Sequence, residues 1–394
     1  MKKILIIGAG FLQSFVIKKA KELGYYTLAV DADPNAIGFK YADKHAVINI
    51  IDEKHCLEFA RNEQIDGVLT AATDYGVLTA SYISQELRLK GLDYEVAKIV
   101  KNKYKSRKCL FENNVDDTEQ FYEVGKETDI HKLSKEIDYP VMVKPCDGSG
   151  SRGATRVNSI DDFENACKRA IEDSITNKAI VESFIVGKEY GSEALVIDGE
   201  PYVFAIMKKW MTEPPYYAEL GHAIPNDLPN EINIKAKKCV KKAIKALGVN
   251  NGSINMDILI TDEGSIHIID IGARMGGNLI GSHIIEAGTG IDYMAAMIQN
   301  AMGEKIKLNK IKSKAVATKL LAFKGGTLEI LPNFKEIERK YSVKVYHHMH
   351  EGDRINEYHT NLDGYGYVLC ISDDLNISLQ NVEMAKAEIE KCIK

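Results

Sequence analysis

Ile4–Ile7 is a continuous apolar run between Lys3 and Gly8, the pattern of a strand buried on both faces. Phe11, Phe15, Val16, Ala20 and Leu23 then recur at helical spacing, and Gly24 supplies a stop. Thr27–Val30 and Ile65–Thr70 repeat the strand pattern; the first ends in Asp31-Ala-Asp-Pro34 and the second leads into Ala71–Tyr75. The first ~110 residues therefore alternate strand and helix as a parallel sheet with crossover helices does. A lysine-rich helical stretch, Tyr94–Asn113, connects them to the rest of the chain.

The texture changes near residue 115. Short strands at Val141–Lys144, Ala179–Val181, Ala194–Ile197 and Val203–Met207 are separated by glycine-rich turns. Ser159-Ile-Asp-Asp162 has the form of a capping box before a helix reaching Ala170. Ile232, Ala236, Val240, Ala243 and Leu247 mark an amphipathic helix stopped by Gly248. Strands Ser253–Ile260 and Ile266–Ile271 follow, with Thr261–Gly264 as the hairpin turn. Beyond Gly303 come β-rich stretches, Val316–Phe323, Val343–His348 and Tyr365–Ile371, and a final helix from Asn381. The pattern predicts three units, 1–105, 106–303 and 304–394, of mixed α/β and α+β class.

Composition narrows the function. Lys+Arg 51 against Asp+Glu 56 in 394 residues gives a net charge of −5, which leaves no electrostatic footprint for nucleic acid or an anionic membrane. No apolar run approaches the ~18 residues of a membrane span, and the apolar stretch after Met1-Lys-Lys3 is too short for a secretory signal. Seven cysteines are scattered and never spaced C-x-x-C, which reads as reduced thiols of a cytoplasmic protein without a zinc knuckle.

Several segments carry candidate chemistry. Gly8-Ala-Gly10 between strand and helix, with Asp31 about 20 residues on, has the setting of a dinucleotide site. Gln13 stands where the third glycine belongs, so a tight structural turn is the favoured reading. Lys144 ends a buried strand and is followed by Asp147-Gly148-Ser149-Gly150-Ser151-Arg152-Gly153, which is no Walker A loop yet can drape over phosphates. Backbone N–H groups and hydroxyls would donate and Arg152 would neutralise charge. Glu182-Ser183-Phe184-Ile185, followed by Glu189, suits an adenine slot. Backbone groups of Ser183 and Ile185 would face the base edge and Glu189 the ribose.

Asp257 and Asp270 lie on adjacent strands among isoleucines and Met256. Buried carboxylates side by side need a cation or proton between them, and Mg2+ (or Mn2+) suits oxygen ligands completed by phosphates. His222, in Tyr217-Ala-Glu-Leu-Gly-His222-Ala-Ile-Pro225, is either a carboxylate-orienting group or a loop histidine. His347-His-Met-His350 invites a metal reading that two same-face histidines do not sustain.

Lys103, Lys144, the Gly148–Gly153 loop and Glu182–Glu189, in that order, resemble the ATP-grasp ligases over nearly the whole chain. The resemblance implies an N-terminal Rossmann-like pre-ATP-grasp domain, a central ATP-grasp fold and a small β-rich C-terminal domain. It implies that Lys103 and Lys144 hold ATP phosphates and that the glycine loop is a lid. Asp270-Ile-Gly-Ala-Arg274-Met-Gly-Gly277-Asn278 is similar to the family signature Glu-x-Asn-x-Arg-x-Gly-Gly, with aspartate for glutamate and Gly272 for the metal-binding asparagine. Arg274 would stabilise an oxyanion, and Asp74, His222, Gly277 and Asn278 would face substrate. The implied reaction is ATP- and Mg2+-dependent joining of a small-molecule carboxylate to an amine through an acyl phosphate, in a protein expected to be a homodimer. The alternatives are a purine-pathway-type enzyme acting on bicarbonate or a ribotide, an NAD oxidoreductase, and a non-catalytic ATP-binding regulator.

Overall fold

In the computed structural model, which describes residues 1–394 except 117, 119, 149, 151, 215, 307 and 309–311, the N-terminal apolar run is strand β1 (Lys3–Ile7). It pairs in parallel with β2 (Tyr26–Asp31) and β4 (Gly67–Thr70), and β3 (Lys44–Val47) completes the order β3-β2-β1-β4. Ile4 and Ile6 pack beneath α1 (Phe11–Glu22), while Leu5 and Ile7 face α2 (Glu53–Glu63) and α3 (Val77–Glu86). Burial on both faces is why this strand reads as an unbroken apolar run. β3 is a largely exposed edge strand without apolar periodicity, which is why the sequence pattern passes over it.

The glycine turn is structural. Both oxygens of Asp31 are committed to local backbone, Oδ2 to Ala9 N–H at 2.7 Å and Oδ1 to Asp33 N–H at 3.0 Å. Buried Gln13 donates to Ala71 O at 2.7 Å and fills the space that a third glycine would open.

The lysine-rich connector forms α4 (Tyr94–Val100) and α5 (Lys103–Glu112), capped by the Asp93 and Asn102 side chains. A small antiparallel sheet follows, ordered β5-β8-β6-β7 from β5 (Phe121–Val124), β6 (Val141–Pro145), β7 (Thr155–Val157) and β8 (Ala179–Ser183). It packs on α6 (Ile130–Leu133) and α7 (Ile160–Glu172). Ser159 is the N-cap of α7, but its side chain makes no capping bond; Asp161 and Asp162 in the first turn complement the helix dipole instead.

The third sheet has eight strands. Those of the central unit are β9 (Lys188–Ile197), β10 (Glu200–Met211), β11 (Glu219–Ile224), β12 (Gly252–Ile260) and β13 (Ile266–Gly272). Helix α8 (Asn230–Ala246) covers one face; α9 (Ile285–Thr289) and α10 (Tyr293–Ala301) lie on the other. The C-terminal region supplies β14 (Ala315–Leu320), β15 (Lys324–Thr327), β16 (Lys344–His347), β17 (Arg354–Glu357) and β18 (Gly366–Ser372). The order is β13-β12-β9-β10-β11-β14-β18-β16, so the sheet runs unbroken past residue 303, and β15 pairs with β17 apart from it. Helices α11 (Phe334–Tyr341) and α12 (Leu375–Glu390) close this end. The last helix begins six residues before Asn381, because the Asp374 side chain accepts from Asn376 and Ile377 N–H. Among the described residues no helix is long and apolar enough to cross a membrane.

Candidate active site

Two lysines from different elements meet because their backbones are tied together. Lys103 opens α5, where its N–H donates to Cys146 O at 2.8 Å, and Lys101 Nζ donates to Asp147 O at 2.8 Å. Along β6 burial alternates, so Val141 and Val143 face the small core while Lys144 points to the opposite side. Lys103 Nζ lies 2.5 Å from Asp270 Oδ1, and Lys144 Nζ lies 2.6 Å from Glu182 Oε1 and 2.8 Å from Ile269 O. Burial alone would raise the Asp270 carboxyl, but Lys103 and Lys144 hold it below its ordinary value.

Asp270 reaches this position through a β-bulge. From the hairpin turn, Ile260 pairs Ile266 and Ile258 pairs Ile268; the register then shifts by one, and Asp257 pairs Asp270. Had the register continued without the shift, Asp257 would oppose Ile269 and the two aspartates would fall on opposite faces. The Ile269 carbonyl accepts from Lys144.

Lys103, Lys144, Asp257, Asp270 and Arg274 line one cleft of about 570 Å³ between the small and large sheets. Two further cations organise it. Buried Arg107, one helical turn after Lys103, donates to Asp116 Oδ2 at 2.7 Å, Glu182 Oε2 at 3.0 Å and Ile268 O at 2.6 Å. Buried Lys209 lies 2.8 Å from Asp257, 3.1 Å from Glu219 and 3.3 Å from Glu189. Burial raises Glu219 but Lys209 outweighs it and brings the carboxyl down to about 2. Asp257 moves the other way, because burial and the neighbouring carboxylates exceed the pull of Lys209. Sequence reasoning missed both cations, although Arg107 shares a helix face with Lys103 at i+4 and Lys209 interrupts an apolar strand.

Arg274 Nη2 pairs with Asp74 Oδ2 at 3.1 Å, and Nη1 donates to Asn255 Oδ1 at 3.3 Å; Nε has no partner among the described residues. Gly272 leaves room for this pair, since a Cβ there would lie 2.9 Å from both Arg274 Cζ and Asp74 Oδ1. Asn278 donates to Glu219 and accepts from Tyr367 Oη at 2.9 Å, and Gly277 lies beside Leu12 and Ala72. In the glycine loop Arg152 donates to the Tyr75 hydroxyl, and Gly148 and Gly150 line the cleft; Ser149 and Ser151 lie outside the described residues. Phe184, Ile185 and Glu189 line the cleft wall with Ser183. The Ser183 N–H is committed to Gln120 O at 3.1 Å, however, which corrects the reading of that amide as a base-edge donor. Cys146 is buried and its thiol is pushed up to about 12, so it is inert packing. The 347–350 histidines lie elsewhere: His347 stacks on Phe334 at 3.8 Å and His348 on Tyr365 at 5.8 Å.

His222 is 1% exposed, with Nε2 3.9 Å from Glu219 Oε2 and neither ring nitrogen hydrogen-bonded to a described residue. Burial holds its imidazole down at about 4. The unfolded chain binds this proton near pH 6.5 and the folded chain only near 4, so His222 makes stability fall as pH drops through that window. The contribution is about 2–3 kcal/mol at ~1.4 kcal/mol per unit. Urea denaturation at pH 7 and 4.5 should show His222→Gln losing less stability on acidification than the wild type by that amount. Equal losses would refute the assignment.

The donor set fits a hard divalent cation in part. Asp257 and Asp270 present oxygens to one cleft, but no group of three or more His, Cys, Asp or Glu among the described residues could hold a metal unaided. That matches Mg2+, which takes one or two carboxylates and completes its shell with water and phosphate.

Comparison with known proteins agrees with this geometry. Residues 137–282 match the ATP-grasp domain family. The protein y4rH of Sinorhizobium fredii is 24% identical over 90% of this chain and 75% of its own. Against several other curated relatives the chain spans about half their length. The structure of L-amino acid ligase from Bacillus licheniformis superposes with a TM-score of 0.84 at 23% identity, covering 98% of each chain. Phosphoribosylglycinamide synthetase from Anaerococcus prevotii gives 0.78 at 24%, again with 98% coverage of both. The match at residues 137–282 to the ATP-grasp domain family spans the bulged acidic hairpin, and the two superpositions show a fold shared from end to end.

Proposed function

We propose that the protein is an ATP- and Mg2+-dependent ligase that joins a small-molecule carboxylate to an amine, releasing ADP and phosphate. The observation that carries this reading is the convergence of Lys103, Lys144, Asp257, Asp270 and Arg274 on one cleft. The lysines grip the triphosphate, the glycine loop covers it, and the walls exclude water. Asp257 and Asp270 would hold Mg2+, which would neutralise phosphate charge. The substrate carboxylate attacks the γ-phosphorus and ADP leaves; the amine then attacks the acyl phosphate carbonyl, phosphate leaves, and the amine nitrogen gives up a proton to solvent. Arg274, fixed by Asp74 and Asn255, supplies a positive field at the developing oxyanion.

An amino-acid substrate is favoured over a ribotide by Glu219, which lines the cleft and is backed by a polar cluster of His222, Asn278 and Tyr367, a setting that suits an ammonium. Phosphate release from MgATP, screened over pairs of amino and hydroxy acids, tests the reading. Release that requires one specific acid–amine pair, with stoichiometric condensation product, is expected. Binding of ATP with no phosphate released for any pair would sink it.

Lys144→Ala should weaken ATP binding by ~1.5–3 kcal/mol, the worth of a charged hydrogen bond. Calorimetric titration with ATP in Mg2+ reads this directly, and unchanged affinity would remove Lys144 from the phosphate site.

A further inference from the structure

Glu193, on β9, has no exposed surface and belongs to none of the roles above. A carboxylate buried this completely is costly unless several donors satisfy it. Three do: Tyr293 Oη at 2.5 Å, Gly276 N–H at 3.0 Å and Asn255 Nδ2 at 2.9 Å. Two of them lead to Arg274. Gly276 sits two residues beyond it, and Asn255, opposite Glu193 in the β9–β12 register, turns its Oδ1 onto the guanidinium.

The chemistry of the pair fixes that orientation. The two ends of an Asn amide are nearly the same size, so packing alone does not choose between them. The Glu193 carboxylate at 2.9 Å, with the Ser192 carbonyl at 3.2 Å beside it, draws the NH2 group of Asn255 and leaves the amide oxygen for Arg274. A second observation points to the same carboxylate: a Cβ at Gly276 would lie 2.7 Å from Glu193 Oε2 and 3.0 Å from Asn255 Nδ2. The loop carrying Arg274 is therefore seated against Glu193 so closely that only glycine fits.

We infer that Glu193 is a positioning residue of Arg274, holding the guanidinium at the reacting carbonyl through Asn255 and the Gly276 amide, on the side away from the direct Asp74 pair. Its effect on turnover rests on the ligase reading; its effect on the arginine does not.

The test uses the full-length protein in two arms. In the first, 15N-arginine labelling reads guanidinium rotation, with the Arg274 signal assigned by its loss in Arg274→Lys. The wild type should show separate, slowly exchanging Nη signals, whereas Glu193→Gln and Asn255→Ala should show them averaged. In the second, phosphate release with MgATP and the best acid–amine pair should fall 10- to 100-fold in kcat for Glu193→Gln, with KM for ATP within twofold. Asn255→Ala should match that loss, and the double variant should be no worse than either single one. Tyr293→Phe removes a donor that leads away from Arg274 and should lower Tm more than kcat.

Slow Nη exchange retained in folded Glu193→Gln, kcat within threefold of wild type, or losses that multiply in the double variant would each overturn the inference. If Glu193→Gln does not fold, Asn255→Ala decides: averaged Nη signals support the inference and separate ones overturn it. If the wild type releases no phosphate with any pair, the ligase reading fails while the first arm still judges the positioning.

Discussion

Asp270→Asn should lower ATP-dependent phosphate release by at least about 1000-fold, a loss of ~4 kcal/mol of transition-state stabilisation, while the fold persists. The substitution keeps the shape of the side chain and removes its charge. Asp270 balances Lys103 at 2.5 Å and presents oxygen to the cleft opposite Asp257. An amide there can neither neutralise the ammonium nor hold a hard cation against its water shell. The Asp270 side chain is 39% exposed and that of Lys103 16%, and the amide oxygen of the asparagine still accepts from the ammonium, so the fold persists at a modest stability cost. The paired measurement is phosphate release with thermal unfolding. Turnover near the wild-type rate would remove Asp270 from the metal site; a collapse of Tm would make it a structural residue.

The largest stability effect is expected elsewhere. Arg107→Met should destabilise the protein by about 3–5 kcal/mol, because it removes one partner from a buried ion network, takes the guanidinium from Asp116 and leaves Glu182 with Lys144 alone. The Arg107 side chain is 5% exposed, and those of Asp116 and Glu182 are 1% and 6%, so little water can take its place. The loss should reach the site as well. Glu182 positions Lys144, so ATP affinity should drop even in the population that remains folded. Urea denaturation with calorimetric ATP titration checks both parts. A change under ~1 kcal/mol would place the network in the surface class.

The difference between what was legible and what was not follows the range of the interactions. The N-terminal sheet could be read because β1 is apolar on both faces, and the acidic hairpin because its turn and flanking isoleucines are local. Even so, spacing alone brings the aspartates only near each other. It takes the bulge at Ile269 to put them on one face, and nothing in the local pattern announces it. Arg107 and Glu182 are 75 positions apart, and Glu193 and Tyr293 are 100 apart. Such pairs are fixed by how separate sheets and helices come together, which periodicity does not encode. Gly272 stands out in sequence as a departure from the family pattern, and the structure gives the steric reason: Asp74 and Arg274 occupy the space beside it.

The unbroken eight-stranded sheet has a mechanical consequence. β11 is hydrogen-bonded to β14, so the C-terminal strands and the wall bearing Asp257 and Asp270 form one stiff backplate. Strands β5–β8, which carry Lys144 and lead into the glycine loop, form a separate sheet. Lys144 and Arg107 reach across to Ile269 O and Ile268 O through their side chains, so the angle between the two sheets can change without breaking a strand pair.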